Sequence, residues 1–307
     1  KDMLYRFSWR PLYQAQQGAA AINAFLNDLA DHLVTPYLEN LKTQLLNENK
    51  TEISEDLENL FLTLYPKHIH SIGLLDFKGM MMLRFPKEDR LDVQEPIPEE
   101  DLNRAVSSGN ITVTRLFPLP DGEQAFALVV PLNLKAGHLD SLIAVVSKDT
   151  IKDLVNQWLK LDPQSLVWLV DSDGNIILHQ NQEYEGDNVF TDSFISRLDH
   201  GRDLTPIFKA QSRGEVGFGH YLKEGVYHIV AYAPVNHSLV NWSLGVNVPF
   251  SEMALMVKRY YHFTLIVVIS FTLLAALVSF FVTDINKKRI IAEEENRLHK
   301  EKWKLEE

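Results

Sequence analysis

Two arginines stand among apolar neighbours at strand-like spacing. In "GMMMLRF" (79–85) Met80, Met82 and Arg84 share one face by the two-residue period, and in "ITVTRLF" (111–117) Ile111, Val113, Arg115 and Phe117 share another. A guanidinium on an otherwise apolar sheet face suits a small carboxylate, which its fork holds through two parallel hydrogen bonds. The competing reading puts both arginines at strand ends, pointing into water. Metal chemistry fares less well. "DSDGN" (171–175) begins like a calcium loop, but Gln182 stands where the bidentate acid is required, so the stretch reads as a hairpin turn. His68 and His70 share a face of an extended segment, yet zinc needs further ligands, and His179, His220 and His228 are scattered. No metal and no other cofactor is expected.

Catalytic signatures are missing too. The sequence has no G-x-S-x-G elbow, no H-E-x-x-H, no phosphate loop and no G-x-G-x-x-G; in "GEVGFG" (214–219) valine and phenylalanine alternate with glycine as in a strand. The residues present are expected to catalyse nothing, which leaves binding.

The elements that must position such a site follow from composition and pattern. With 46% hydrophobic and 23% charged residues the chain is globular, and its net charge of −11 argues against nucleic acid as a partner. There is no cysteine, which excludes disulfides and thiolate chemistry and is compatible with a bacterial periplasm. From Phe263 to Val282 no charge occurs, a run long enough to span a bilayer as a helix. Lys287, Lys288, Arg289, Arg297, Lys300, Lys302 and Lys304 follow it, against Lys258 and Arg259 before it. That bias puts the tail in the cytoplasm and residues 1–260 outside, with Tyr260, Tyr261 and His262 at the outer interface. A tail-anchored protein of opposite orientation is the rival. Because the chain starts at Lys1 and stops at Glu307 within a helical pattern, a second span is expected upstream.

Residues 19–46 read as one long amphipathic helix that Pro36 should kink or break, and 54–64 as a second helix capped by Ser54, with Leu57, Leu60, Phe61 and Leu64 buried. Strands come next. "HSIGLLDFKGMMMLRF" (70–85) and "SLVWLVDSDGNIILHQ" (165–180) are both hairpins turning on D-x-x-G. "QAFALVVPLN" (124–133) is similar to "VYHIVAYAPVN" (226–236), and "LDSLIAVVSKD" (139–149) to "LVNWSLGVNVPFSE" (239–252). Each half also carries a short polar helix, "PEEDLNRAVSSG" (98–109) and "TDSFISRLDHG" (191–201). One order of elements thus occurs twice, which means two copies of one module. Alternation within the strands implies antiparallel sheets with a face covered by helices. In the tail, Ile291, Leu298 and Leu305 recur every seven residues and Glu293–Arg297 is a favourable pair, as in a helical stalk.

A long N-terminal helix, two tandem PAS-like α+β modules and then a span resemble the double Cache (dCache) extracellular sensor region of bacterial membrane histidine kinases. The hairpin at 168–177, "YAPV" at 232–235 and "WSLGVNVP" at 242–249 resemble its membrane-proximal module. The resemblance covers roughly residues 10–255. It implies an N-terminal helical stalk (1–66), a membrane-distal module (67–160), a membrane-proximal module (161–250), a transmembrane helix (251–283) and a cytoplasmic helical linker (284–307). It further implies an inner-membrane protein and a homodimer through the N-terminal helix and the stalk. The signal would enter as a small molecule, or as a docked periplasmic binding protein. By that analogy the distal module holds the ligand, and Asp149 could meet an amine beside Arg84 and Arg115. The arginine-tryptophan-tyrosine signature of amino-acid-binding relatives is not recognisable here, so an organic acid or another metabolite is as good a candidate. The proximal module, with Tyr221, Tyr227 and Tyr232, is the second choice of pocket. A chemoreceptor or a cyclic-dinucleotide enzyme is the alternative output.

Overall fold

The structure, a computed structural model, describes residues 8–34, 37–47, 50–65, 69–76, 79–86, 97–132, 139–159, 165–198, 201–223 and 225–306. His68 and the segment after Arg84 at 87–96 lie outside these.

Helix α1 (Trp9–Val34) begins ten residues earlier than its apolar pattern suggests. Its first turns bury Ala15, Gly18 and Ala19, small residues that carry no apolar signal but allow close approach. A Cβ on Gly18 would stand 2.4 Å from Leu244 Cδ2, so the backbone of α1 lies directly on the second sheet. Further along, Ile22, Leu26, Leu29 and Leu33 continue the buried stripe. Helices α2 (Tyr37–Leu46) and α3 (Lys50–Leu64) follow, separated from α1 around Pro36. The start of α3 at Lys50 places Ser54 inside the helix, so Ser54 is not its cap; Ile53 joins the expected Leu57, Leu60, Phe61 and Leu64 in the core.

The first sheet is built from β1 (Ile69–Asp76), β2 (Met81–Phe85), β3 (Thr112–Val113), β4 (Phe117–Pro118), β5 (Gln124–Pro131) and β6 (Leu139–Ser147), in the order β2-β1-β6-β5-β3 with β4 also on β5. Helix α4 (Glu99–Ser108) covers one face over Leu75, Ala127, Val129, Ile143 and Val145. Helix α5 (Lys148–Leu159) leads to the second sheet: β7 (Leu166–Asp171), β8 (Ile176–His179), β9 (Gly217–Lys223), β10 (Val226–Pro234) and β11 (Trp242–Pro249), ordered β8-β7-β11-β10-β9. Strand for strand the two sheets have the same antiparallel order, so the repetition read in the sequence is a repetition of topology. The edge of Phe126 meets the ring of Trp242 at 5.5 Å, joining the cores.

Both hairpins turn as the D-x-x-G pattern requires. Asp171 Oδ1 accepts from the amides of Asp173 and Asn175 at 2.9 and 2.8 Å, Oδ2 accepts from Asn175 Nδ2 at 2.8 Å, and Gly174 takes a φ of 86°. The carboxylate with calcium-loop spacing therefore organises the turn. Helix α6 (Asp192–Arg197) is capped by Thr191, whose hydroxyl accepts from the Phe194 amide at 3.3 Å. Helix α7 (Gly201–Ser212) has no counterpart in the sequence reading, because Gly201 and Pro206 look like breakers. Pro206 is tolerated because both it and Arg202 are exposed, so the carbonyl that loses its amide partner can turn to water.

A separate unit is the single helix α8 (Phe250–Glu306), within which Tyr261–Glu294 is long and apolar enough to cross a membrane. Its apolar side chains, from Phe263 to Val282, are exposed along the whole run. Glu293 pairs with Arg289 at 3.2 Å; the side chain of Arg297, its expected partner, lies outside the described residues.

Candidate ligand-binding site

In the first module Arg84 lies on the α4-covered face, in one transverse row with Gly73, Ile143, Val129 and Thr112. It is half-buried, and Met81 lies across the open space that Gly73 leaves: a Cβ there would be 2.3 Å from the sulfur. Arg115 stands at the other edge, between β3 and β4. Four strand spacings, roughly 19 Å, separate the two edges, so the arginines cannot share one small ligand. Arg115 is engaged within the fold. Its guanidinium donates to Glu100 at 2.7 Å and to buried Asp101 at 3.4 Å, and its amide donates to Asp101 at 2.9 Å. Glu100 first and Asp101 next hold the guanidinium in its charged form, raising its pKa. These contacts tie the β3–β4 corner to the first turn of α4. Asp149 opens α5 from an exposed position, 3.9 Å from Lys152 Nζ. The structure does not gather the three residues into one site.

A partly open site does exist in the second module, between its sheet and helices α6 and α7. Its cavity of about 130 Å³ is walled by Trp168, His179, Tyr184, Phe194, Phe208 and Tyr221. The rings assemble in a chain. Trp168 stacks on His179 at 6.4 Å, His179 meets the edge of Tyr184 at 5.0 Å, and Tyr184 meets Phe194 at 5.6 Å. Phe208 closes on both Trp168 and Phe194. Gly245 makes this possible, because a Cβ there would lie 2.4 Å from the indole. The indole Nε1 donates to Gln211 of α7 at 3.0 Å, fixing the ring against the helix. At the other end Asn247 donates to the Tyr221 hydroxyl at 2.9 Å, and burial raises the pKa of that phenol.

Burial lowers the pKa of His179, against smaller opposing effects of Asn181 and Glu185, and so favours the neutral ring. Its Nδ1 faces both the amide (2.9 Å) and the carbonyl (3.1 Å) of Asn181. The amide can only donate and is nearer, which assigns Nδ1 as acceptor and the ring proton to Nε2. Glu185 accepts from the His179 amide at 3.1 Å and forms a buried ion pair with Lys148 at the start of α5. This pair links the end of the first module to the wall of the second-module cavity. Of the tyrosines expected here, Tyr221 lines the cavity, Tyr232 is buried in the surrounding core and Tyr227 is exposed.

No protein-family profile and no curated protein matches the chain. Solved structures do. The periplasmic sensory domain of the Campylobacter jejuni chemoreceptor Tlp1 aligns over 78% of this chain and 93% of its own, at 14% identity and a TM-score of 0.63. The ligand-binding domain of the Pseudomonas aeruginosa PAO1 amino-acid chemoreceptor PctB, in complex with L-Gln, aligns over 81% and 90%, at 19% identity and a TM-score of 0.55. An extracellular ligand binding receptor from Desulfohalobium retbaense aligns over 76% of this chain at 18% identity and a TM-score of 0.60; the chain spans 39% of that receptor. The chain has the double Cache fold. Within the double Cache framework, β1–β6 and β7–β11 are the two PAS-like modules, and the aromatic cavity belongs to the one joined directly to α8. Sequence reasoning found its tyrosine but not its cavity, whose walls come from four strands, two helices and a turn that no local pattern connects.

Proposed function

We propose that residues 8–250 are the extracytoplasmic small-molecule sensor of a membrane receptor, and that α8 carries the signal to a cytoplasmic output. One observation carries this reading: the module that holds the aromatic-walled cavity is joined to the candidate span without a linker, β11 ending at Pro249 and α8 opening at Phe250. A ligand with different affinities for two arrangements of the module shifts their populations, and β11 passes that shift to α8. The basic flank at Lys287–Arg289 supports a cytoplasmic tail and an inner-membrane location. The first module is the site expected for an organic acid or a similar metabolite, with Arg84 on its covered sheet face. A homodimer of such a receptor would use the α1 face that bears the exposed rings of Trp9 and Tyr13. In this reading the residues present bind and transmit but catalyse nothing, and a histidine kinase follows them. A chemoreceptor output has equal support, since similar folds are described as chemoreceptor domains in complex with amino acids.

The test is a thermal-shift screen of the 307-residue chain in lipid nanodiscs against organic acids, amino acids and amines. One-site binding at 100 times Kd adds about 2.7 kcal/mol, a shift of several degrees. Stabilisation by one class of compound supports direct sensing. An unmoved transition across the panel argues for a protein partner.

A further inference from the structure

The second-module cavity has a charge pattern that selects among ligands. Among the described residues two cations line it, Lys223 on β9 and Arg197 on α6, and no carboxylate does. Arg197 is already engaged: it pairs with Asp187 and its guanidinium lies 5.7 Å from the centroid of Tyr184, so it serves as part of the wall. Lys223 forms no ion pair among the described residues. It lies two residues from Tyr221 on the same face of β9, paired with Val226 of β10 near the end of the strand. Apart from Asn247 the rest of the lining is apolar or aromatic, with Trp168, Ile176, Phe194, Leu204 and Phe208 among it. At about 130 Å³ the space is close to that of an apolar cavity known to accept benzene, roughly 150 Å³.

We propose that this cavity binds a small monocarboxylic acid with an apolar body of about six carbons, its carboxylate on Lys223 and its body against Trp168 and Phe208. Lys223 supplies the charge-assisted hydrogen bond, and the aromatic wall supplies the apolar contact and excludes water from it. A quaternary ammonium would find aromatic faces here. It would also meet the ammonium of Lys223, which has no ion pair among the described residues, so the anion is favoured. The site is separate from any ligand of the first module. Its signalling consequence rests on the sensing function above, whereas its binding does not.

Isothermal titration of the full chain in nanodiscs with benzoate, isovalerate, benzyl alcohol and choline tests this. Benzoate and isovalerate bind, benzyl alcohol binds at least tenfold more weakly, and choline gives no heat. Lys223→Met weakens benzoate at least tenfold without moving the thermal midpoint, and Leu198→Trp, which fills the cavity from its wall, abolishes binding. Lys209→Met, an exposed charge on α7 outside the cavity, leaves benzoate affinity as it was. Benzyl alcohol binding as well as benzoate, choline binding in its place, or no acid binding overturns the proposal. So does benzoate affinity that survives both cavity variants, which puts the acid elsewhere on a chain that still senses it.

Discussion

Lys148→Met should destabilise the sensor far more than loss of a surface lysine. Lys148 and Glu185 are each 9% exposed, so removing the cation leaves a carboxylate that water barely reaches. Breaking a buried pair from one side costs about 3–5 kcal/mol. Glu185 keeps one donor, the His179 amide at 3.1 Å, which puts the expected loss near the lower figure, about 3 kcal/mol. For a folded unit of this size that is a fall in thermal midpoint of about 6–12 °C. Glu185→Gln keeps an acceptor for the His179 amide but leaves the ammonium against a neutral amide, and its cost is similar. The double variant removes both charges together and costs about the same as either alone, a coupling of about 2–3 kcal/mol. Differential scanning fluorimetry of the four proteins measures the cycle. Additive losses, or single losses below about 0.5 kcal/mol, would mean that the pair behaves as a solvated surface bridge. The link from the first module to the cavity wall would then carry no energy.

Three further outcomes follow from the same contacts. Gly245→Ala puts a methyl 2.4 Å from the Trp168 indole, so the ring must move; a loss of about 1–3 kcal/mol and an altered near-ultraviolet circular dichroism signal are expected, and an unchanged midpoint would contradict the close packing. Burial lowers the folded-state pKa of both His179 and His237. The unfolded chain therefore takes up protons first as pH falls below about 6.5, and stability declines from there until the folded rings protonate. Thermal midpoints across that window should fall less steeply in His179→Gln than in the parent, and identical slopes would place the ring in contact with water. Leu273→Arg sets a charge in the middle of the apolar run of α8, at about 2.5–3.5 kcal/mol in insertion free energy, so the fraction resisting alkaline extraction from membranes drops. Unchanged extraction would remove the case for a span there.

What the sequence made legible was local. The hairpins announced themselves because alternation and D-x-x-G are both consequences of neighbouring residues. Their recurrence, with Pro131 at the end of β5 and Pro234 at the end of β10, was enough to read two modules in one topology. Helix ends were less legible: the first turns of α1 pack through small residues, Gly18 lying against Leu244, and α7 hides behind Pro206. The arginines illustrate the limit most plainly. Side-chain parity grouped Arg84 with Met80 and Met82, but a register shift at Leu74–Leu75 puts Met81 on that face and leaves Met80 and Met82 exposed. Strand order then put the two arginines at opposite edges, and Arg115 meets acids of α4 that lie about fifteen residues away in sequence. The aromatic cavity needs Trp168, Phe194, Phe208 and Tyr221 to converge from separate elements, and only tertiary structure brings them together.

The central claim is that a small molecule outside the membrane changes what α8 delivers inside. Fusing residues 1–307 to a reporter histidine kinase, and separately to a chemoreceptor signalling domain, tests it in living cells exposed to the same panel of acids, amino acids and amines. Output that changes with one compound class in at least one fusion, and that shifts its dose dependence in a ligand-site variant such as Lys223→Met or Arg84→Met, is the predicted result. Output that stays constant across the panel in both fusions, while the protein is inserted and folded, would contradict it.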